Sequence, residues 1–214
     1  EFIEKSTNNL ELVGYLRDAF KSSDVIVPMR HHHDFPNPIE GTDSTLLLMP
    51  AWNPGEDAGV KVVTVSPENG KYDLPSIQGT YIYLDARKGS VKAIMDAKTL
   101  TAKRTAATSA LASSFLSRKN ASSLLMIGTG ALSKNLIVAH ASVRPIKIVF
   151  VYGRNFQNAK QICEELADEG FTIKAVTAIE EVISGVDIIS CATLSTFPLV
   201  LGKYLRAGQH VDLV

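Results

Sequence analysis

Cysteine is scarce. Cys163 and Cys191 are the only two in 214 residues, and they stand far apart. That excludes a disulfide framework and leaves no zinc-ligand spacing, a usage that fits a reducing cytosol. An excess of one charge is lacking too. The 22 Lys+Arg balance 22 Asp+Glu, so no global field draws the chain to nucleic acid or to an anionic membrane. There is no RNP-like aromatic motif, and neither a nucleic-acid nor a membrane partner is expected. Long apolar runs are absent. Leu46-Leu47-Leu48-Met49 ends at Pro50, far short of the roughly 18 residues that span a bilayer. The first residues do not join a basic stretch to an apolar one, so no secretory signal is expected and the expected compartment is the cytoplasm. What is there suits folding. Hydrophobic residues make up 45% and charged residues 21%, enough for a sizeable core and unlike a disordered chain.

One further absence is local. No Asp or Glu occurs between Ala97 and Cys163, while that stretch holds ten cations: Lys98, Lys103, Arg104, Arg118, Lys119, Lys134, Arg144, Lys147, Arg154 and Lys160. The rest of the chain therefore carries a net charge of −10. A basic run of this length serves either a solvated face or an anionic ligand.

The length suits one large domain or two small ones. Leu10, Val13, Leu16 and Phe20 recur at helical spacing, predicting a helix over residues 8–22. Residues 25–41 are rich in His and Pro and read as loop or edge strand. Strands follow at Ser44–Met49, Gly59–Ser66, Gly79–Asp85 and Val91–Asp96, spaced as in an antiparallel sheet. Residues 99–117 are Ala-rich and predict a long helix with Leu100, Ala107, Leu111 and Phe115 on one stripe. The small polar stretch Ser113–Ser123 suggests a boundary near residue 120.

Beyond it the rhythm changes. Strands at Ser123–Ile127, Ile146–Tyr152, Phe171–Val176, Val186–Cys191 and His210–Val214 alternate with helices at Ala131–Ser142, Phe156–Glu169, Ala178–Ser184 and Pro198–Arg206. That alternation is the pattern of a parallel, doubly wound sheet. The chain ends inside an expected strand, which suggests that a C-terminal part is lacking.

The first of these strands runs into Gly128-Thr129-Gly130-Ala131-Leu132-Ser133, a G-x-G-x-x-S turn opening a helix. The first glycine permits the tight turn, the second lets backbone approach a pyrophosphate, and a small third residue packs helix on strand. Placed between a strand and a helix, the motif points to a dinucleotide seated on the helix N-terminus. A free ribose 2′-hydroxyl usually meets an acid about 20 residues further on. Here the next strand ends Tyr152-Gly153-Arg154-Asn155, and the next acid is Glu164. Arg154 can pair with a 2′-phosphate and Asn155 can donate to it. NADPH is therefore the expected cofactor, with NADH possible.

Three cations in the first half stand out. Arg30 precedes His31-His32-His33, Lys61 lies within Val60-Lys61-Val62-Val63, and Arg104 leads Arg104-Thr105-Ala106-Ala107. Lys61 is either a ligand-facing cation or an edge-strand lysine that blocks aggregation. An arginine early in a helix works against the dipole and suggests a ligand. The adjacent histidines of an extended chain point to alternate sides, so three in a row do not converge on one ion, and no metal is expected.

Taken together, Pro28-Met29-Arg30, Gly59–Val65, Leu84-Asp85-Ala86, Ala93–Asp96, Leu100–Ala107, Gly128–Ala131, Tyr152–Asn155 and Ala192–Ser195 resemble the ornithine cyclodeaminase/μ-crystallin family. The resemblance implies an α/β chain: an α+β substrate-binding and dimerisation domain, residues 1–119, and a Rossmann domain for NAD(P), residues 120–214. It implies a homodimer and longer family chains. It implies that a substrate carboxylate meets Arg30, Lys61 and Arg104, with Lys61 binding or delivering a proton. Cofactor contacts are implied at Thr105, at Gly128, Thr129, Gly130, Ala131 and Leu132, at Gly153, Arg154 and Asn155, and at Thr193, Leu194 and Ser195. Cyclodeaminases carry an acid where this sequence has Arg154-Asn155. The chain therefore resembles the reductase branch, which turns Δ1-pyrroline-2-carboxylate or Δ1-piperideine-2-carboxylate into L-proline or L-pipecolate. A cyclodeaminase lyase and a non-catalytic NADPH-binding crystallin are the alternatives.

Overall fold

The structure is a computed structural model and describes residues 2–193 and 195–214. Helices α1 (Phe2–Ser6) and α2 (Asn9–Lys21) lead into strands β1 (His31–Phe35), β2 (Ser44–Trp52), β3 (Asp57–Val65), β4 (Ile77–Asp85) and β5 (Val91–Asp96). Helix α3 (Ala97–Leu116) follows. Then come β6 (Ser123–Ile127), α4 (Ser133–Val143), β7 (Ile148–Tyr152), α5 (Phe156–Glu165), β8 (Thr172–Val176), β9 (Ile188–Cys191) and β10 (His210–Leu213). Packing divides the chain into two compact units. One is Asp18–Thr101; the other joins the residues up to Arg17 to Ala102–Val214. The division falls at residue 101/102 rather than at 119/120, because the serines after residue 112 are not a linker. Ser113 is buried in the last turn of α3, and Ser117 is buried just after it.

The first unit is an antiparallel meander in the order β1-β2-β3-β4-β5. β1 is an exposed edge strand, as the His- and Pro-rich composition suggests. β3 is the central strand, paired with β2 and β4 along its length. An edge role for Lys61 is thereby excluded.

The second unit holds a wholly parallel sheet in the order β10-β9-β6-β7-β8. Strand order reverses between β6 and β9, so the crevice beyond their carboxyl ends is where a doubly wound sheet binds its ligand. β6 is apolar and buried on both faces, as a central parallel strand must be. Leu124 and Met126 join Val149, Val151 and Ile188 beneath α3 and α4, with Val13 of α2. Leu125 and Ile127 pack on the opposite face with Ile179, Ile183 and Ile189. At the amino edge Asp187 fastens β6 to β9. Its carboxylate accepts from the Ser122 and Ser123 amides at 2.8 and 3.2 Å and from the Ser123 hydroxyl at 2.9 Å, and it pairs with Arg118.

Several expectations need correction. Ala178–Ser184 and Pro198–Arg206 are not α-helices. Each segment holds only a short 3-10 turn, Ile183–Gly185 and Gly202–Tyr204. Pro198 and the glycines at 185 and 202 interrupt what would be a helix. On α3, Ala107 and Leu111 are buried but Phe115 is exposed, with the Arg17 guanidinium 5.5 Å from its ring centroid. On α2 only Val13 is buried, while Leu10 and Phe20 face outward.

Candidate functional site

The turn between β6 and α4 is built from one strained position and one open one. Gly128 has φ +119°, and a Cβ placed there would stand 2.3 Å from the Ala192 carbonyl oxygen. Only glycine fits so close to the chain leaving β9. Gly130 is exposed and a Cβ there would meet nothing within 4 Å. Ser133 stands where the common motif has its third glycine. It is wholly buried, and its hydroxyl donates to the Gly128 carbonyl at 2.9 Å, closing the turn from inside. Leu132 precedes the helix and supplies no side-chain cap. The Ser133 amide donates to the Gly130 carbonyl at 3.1 Å, and the amides that follow it in the first turn of α4 are left for a ligand. This geometry fits a dinucleotide pyrophosphate: an uncapped N-terminus of an 11-residue helix lies behind an open glycine.

The same crevice gathers two other chain segments. Gly128 N–H donates to Tyr152 O at 2.8 Å, and a Cβ on Gly153 would lie 2.4 Å from the Thr129 methyl group. Ala192 N–H donates to Ile127 O at 2.9 Å. The structure thus brings Gly128, Thr129, Gly130, Ala131 and Leu132 together with Gly153 and with Thr193. Ala192 was named only within the family motif Ala192–Ser195 and was given no contact of its own, since nothing in an alanine signals a close backbone approach. Arg154 is exposed at the end of β7, and its side chain makes no hydrogen bond or ion pair with the described residues. Asn155 caps α5, accepting from Gln157 N at 2.9 Å through Oδ1, which leaves its Nδ2 to donate. Ser195 donates to Phe197 O at 2.8 Å. Leu194 lies outside the described residues.

The remaining expected residues are placed as follows. Arg104 and Thr105 lie on α3. The helix starts at Ala97, so Arg104 is beyond its first turn and the dipole reason for singling it out does not hold. Its side chain is exposed, whereas Thr105 is half-buried. In the antiparallel unit, Lys61 is half-buried and pairs in register with Met49 and Tyr81. Arg30 is exposed, immediately before β1. Half of the ten cations in the basic run have partners within the fold. Lys103 faces Glu4, Arg118 pairs with Asp187, Lys134 pairs with Glu165, and Lys160 lies over Phe156. Arg144 donates to the Ser113, Ser114 and Ser117 carbonyls at 2.9, 2.7 and 3.0 Å.

Burial pushes up the thiols of Cys163 and Cys191, so neither is a ready thiolate. His31 and His33 share a side of β1, while His32 turns to Asp34 at 3.0 Å. Among the described residues no group of three or more His, Cys, Asp or Glu could hold a metal ion. No helix among them is long and apolar enough to cross a membrane.

The model of the ornithine cyclodeaminase/mu-crystallin family matches residues 1–214. The chain belongs to that family. Within the family, it is 41% identical over 220 residues to an uncharacterized Schizosaccharomyces pombe protein, covering 100% of this chain and 66% of that one. It is 37% identical to a Δ1-pyrroline-2-carboxylate reductase of Colwellia psychrerythraea, covering 99% of this chain and 67% of the relative. Among solved structures, the Thermococcus litoralis Δ1-pyrroline-2-carboxylate reductase in complex with NADH and L-proline superposes with a TM-score of 0.88 at 32% identity. That match covers 99% of this chain and 66% of the archaeal one. The chain thus spans about two thirds of the length of these family members.

Proposed function

We propose that the protein is a nicotinamide-dependent reductase of cyclic imine carboxylates, with Δ1-pyrroline-2-carboxylate or its six-membered homologue as substrate. The observation that carries this reading is the open glycine turn at the switch point of the parallel sheet, in a chain similar to reductases of that name. The parallel-sheet unit is the proposed cofactor carrier, and the protein is proposed to act as a cytoplasmic homodimer.

The preferred cofactor is NADPH. An arginine without a partner among the described residues stands at the end of β7 where a 2′-hydroxyl reader would be acidic, and Asn155 Nδ2 is free to donate beside it. The Thermococcus litoralis relative was solved with NADH, which makes cofactor preference a property to measure on this chain itself.

When bound, the reduced nicotinamide supplies the hydride. The remaining work falls to the chain's own residues. Amides of the Gly128–Leu132 turn and the N-terminus of α4 hold the pyrophosphate. Arg30 and Arg104 are each proposed as carboxylate ligands, since a guanidinium can hold a carboxylate with two parallel hydrogen bonds. Lys61 is proposed to bind the carboxylate or to give up a proton from Nζ as the imine nitrogen becomes an amine. Catalysis is then chiefly orientation and electrostatics.

The test is steady-state oxidation of NADPH and of NADH with Δ1-pyrroline-2-carboxylate, followed by loss of the nicotinamide absorbance. Turnover supports the reductase, and cofactor binding without turnover overturns it. Arg30→Met and Arg104→Met are each expected to raise the imine KM on the order of tenfold or more, through loss of a charge-assisted hydrogen bond. An unchanged KM removes that residue from the carboxylate site.

A further inference from the structure

The face of the parallel sheet beneath α3 and α4 is apolar except at one place. Along β9 and β10 the residues that turn to this face include Ser190, His210 and Asp212, and α4 sets His140 against them. All four are at least nine-tenths buried, with His140 and Ser190 wholly so. Asp212 is the hub. Its Oδ2 accepts from the Ser190 hydroxyl at 2.7 Å and faces His140 Nε2 at 3.2 Å. Burial would push this carboxyl up, but hydrogen bonds from His140, Ser190 and Ser109 of α3 outweigh it and hold the acid below its ordinary range. His140 Nδ1 and His210 Nε2 have no hydrogen-bond partner among the described residues. A buried polar network is a poor way to gain stability, since apolar residues of similar volume often do as well or better. The network has a second property, which is its position.

Ser190 is in register with Asp212 on one side and with Met126 of β6 on the other. The next row, Ile127, Cys191 and Leu213, is the last before the crevice. One residue further, the Ala192 carbonyl presses on Gly128. The helix that carries His140 is the one that opens at the glycine turn. The carboxylate therefore joins three elements that build the crevice: α4 through His140, β9 through Ser190, and β10 through its own backbone.

We propose that Asp212 is a positioning residue for the dinucleotide crevice, acting through Ser190 to fix the Cys191–Thr193 exit of β9 against Gly128 and Thr129. It touches neither cofactor nor substrate. The inference rests on the dinucleotide reading given above, and one experiment separates the two. NADPH and NADH are titrated by fluorescence into the protein and into Ser190→Ala, Asp212→Asn and the double variant. Thermal melting is measured in parallel. Arg144→Ala, which loosens the far end of α3, is the structural control.

Each single variant is expected to weaken cofactor binding roughly tenfold, the size of a lost buried hydrogen bond to a charged group. The double variant is expected to be no weaker than Asp212→Asn alone, because the two residues act as one unit. Arg144→Ala is expected to melt earlier with an unchanged Kd. Network variants that behave like Arg144→Ala, or effects that add in the double variant, would overturn the positioning role. Failure of the unmodified protein to bind either cofactor would instead overturn the dinucleotide reading, and the inference with it. Should Asp212→Asn not fold, Ser190→Ala decides alone, since it deletes one hydroxyl and adds no volume.

Discussion

Two glycines of one turn differ in what a methyl group would do. At Gly128 it would meet the Ala192 carbonyl oxygen at 2.3 Å, on a backbone with φ +119°. Gly128→Ala is expected to cost more than about 2 kcal/mol of stability, read from denaturant melts. At Gly130 the methyl would meet no protein atom within 4 Å, but it would stand in the way of the proposed pyrophosphate. Gly130→Ala is expected to melt like the parent and to bind nicotinamide cofactors less tightly, so a calorimetric titration beside a melt distinguishes the two substitutions. Arg154 belongs to the same scale. Arg154→Asp is expected to lower kcat/KM for NADPH relative to NADH by on the order of tenfold to a hundredfold, the range of a lost hydrogen bond to a charged group. An unchanged ratio would show that this guanidinium does not read the 2′-phosphate. The glycine turn and the exposed position of Arg154 were legible in the sequence because backbone freedom and fixed charge are local properties. Asp212 was not, because a carboxylate inside an apolar strand looks like a register error until the partners from α4 and β9 are in place. The alternation of His210 and Asp212 along one strand face was the available signal.

Helix α3 shows what a single side chain can do for an element. The last carbonyls of a helix lack intrahelical donors. Here Arg144, at the C-cap of α4, reaches across to donate to the Ser113 and Ser114 carbonyls of the last turn and to the Ser117 carbonyl just beyond it, while its Nε donates to the Ser117 hydroxyl at 2.8 Å. Arg144→Ala is expected to destabilise the fold by about 2 kcal/mol, with Arg144→Lys recovering little, because an ammonium cannot reproduce the planar fork. Chemical denaturation of the three proteins checks this. The strands of both sheets were legible because alternation and continuous apolar runs are distinct signals. Short helices near residues 180 and 200 were over-read, since a few apolar residues at helical spacing are satisfied equally by a single tight turn. The serines of α3 were misread as a boundary because composition alone does not show which helix turn a neighbouring arginine will cover.

For the molecule as a whole, buried titratable groups set the response to acid. Burial, with the neighbouring His140 and Arg144, pushes the His210 imidazole below its ordinary 6.5, although Asp212 pulls the other way. The unfolded chain then takes up this proton first as pH falls through about 6.5, and stability declines from there. Asp187 and Asp212 are both held below the ordinary carboxylate value of 3.8, so their contribution is lost only as pH falls below that value. Melting temperature is therefore expected to fall in two stages on acidification. His210→Asn is expected to remove the first stage and leave the second. A single stage near pH 4 in the parent protein would contradict this assignment. The Asp187 fastening carries a different consequence. It ties the amino ends of β6 and β9 with four hydrogen bonds to Ser122 and Ser123 and an ion pair to Arg118, at the opposite end from the glycine turn. The sheet is anchored like a fan at its handle. Loops at the spread end are therefore expected to tolerate exchange without loosening the rivet, and a library aimed at the proposed imine specificity should leave Arg118, Ser122, Ser123 and Asp187 alone.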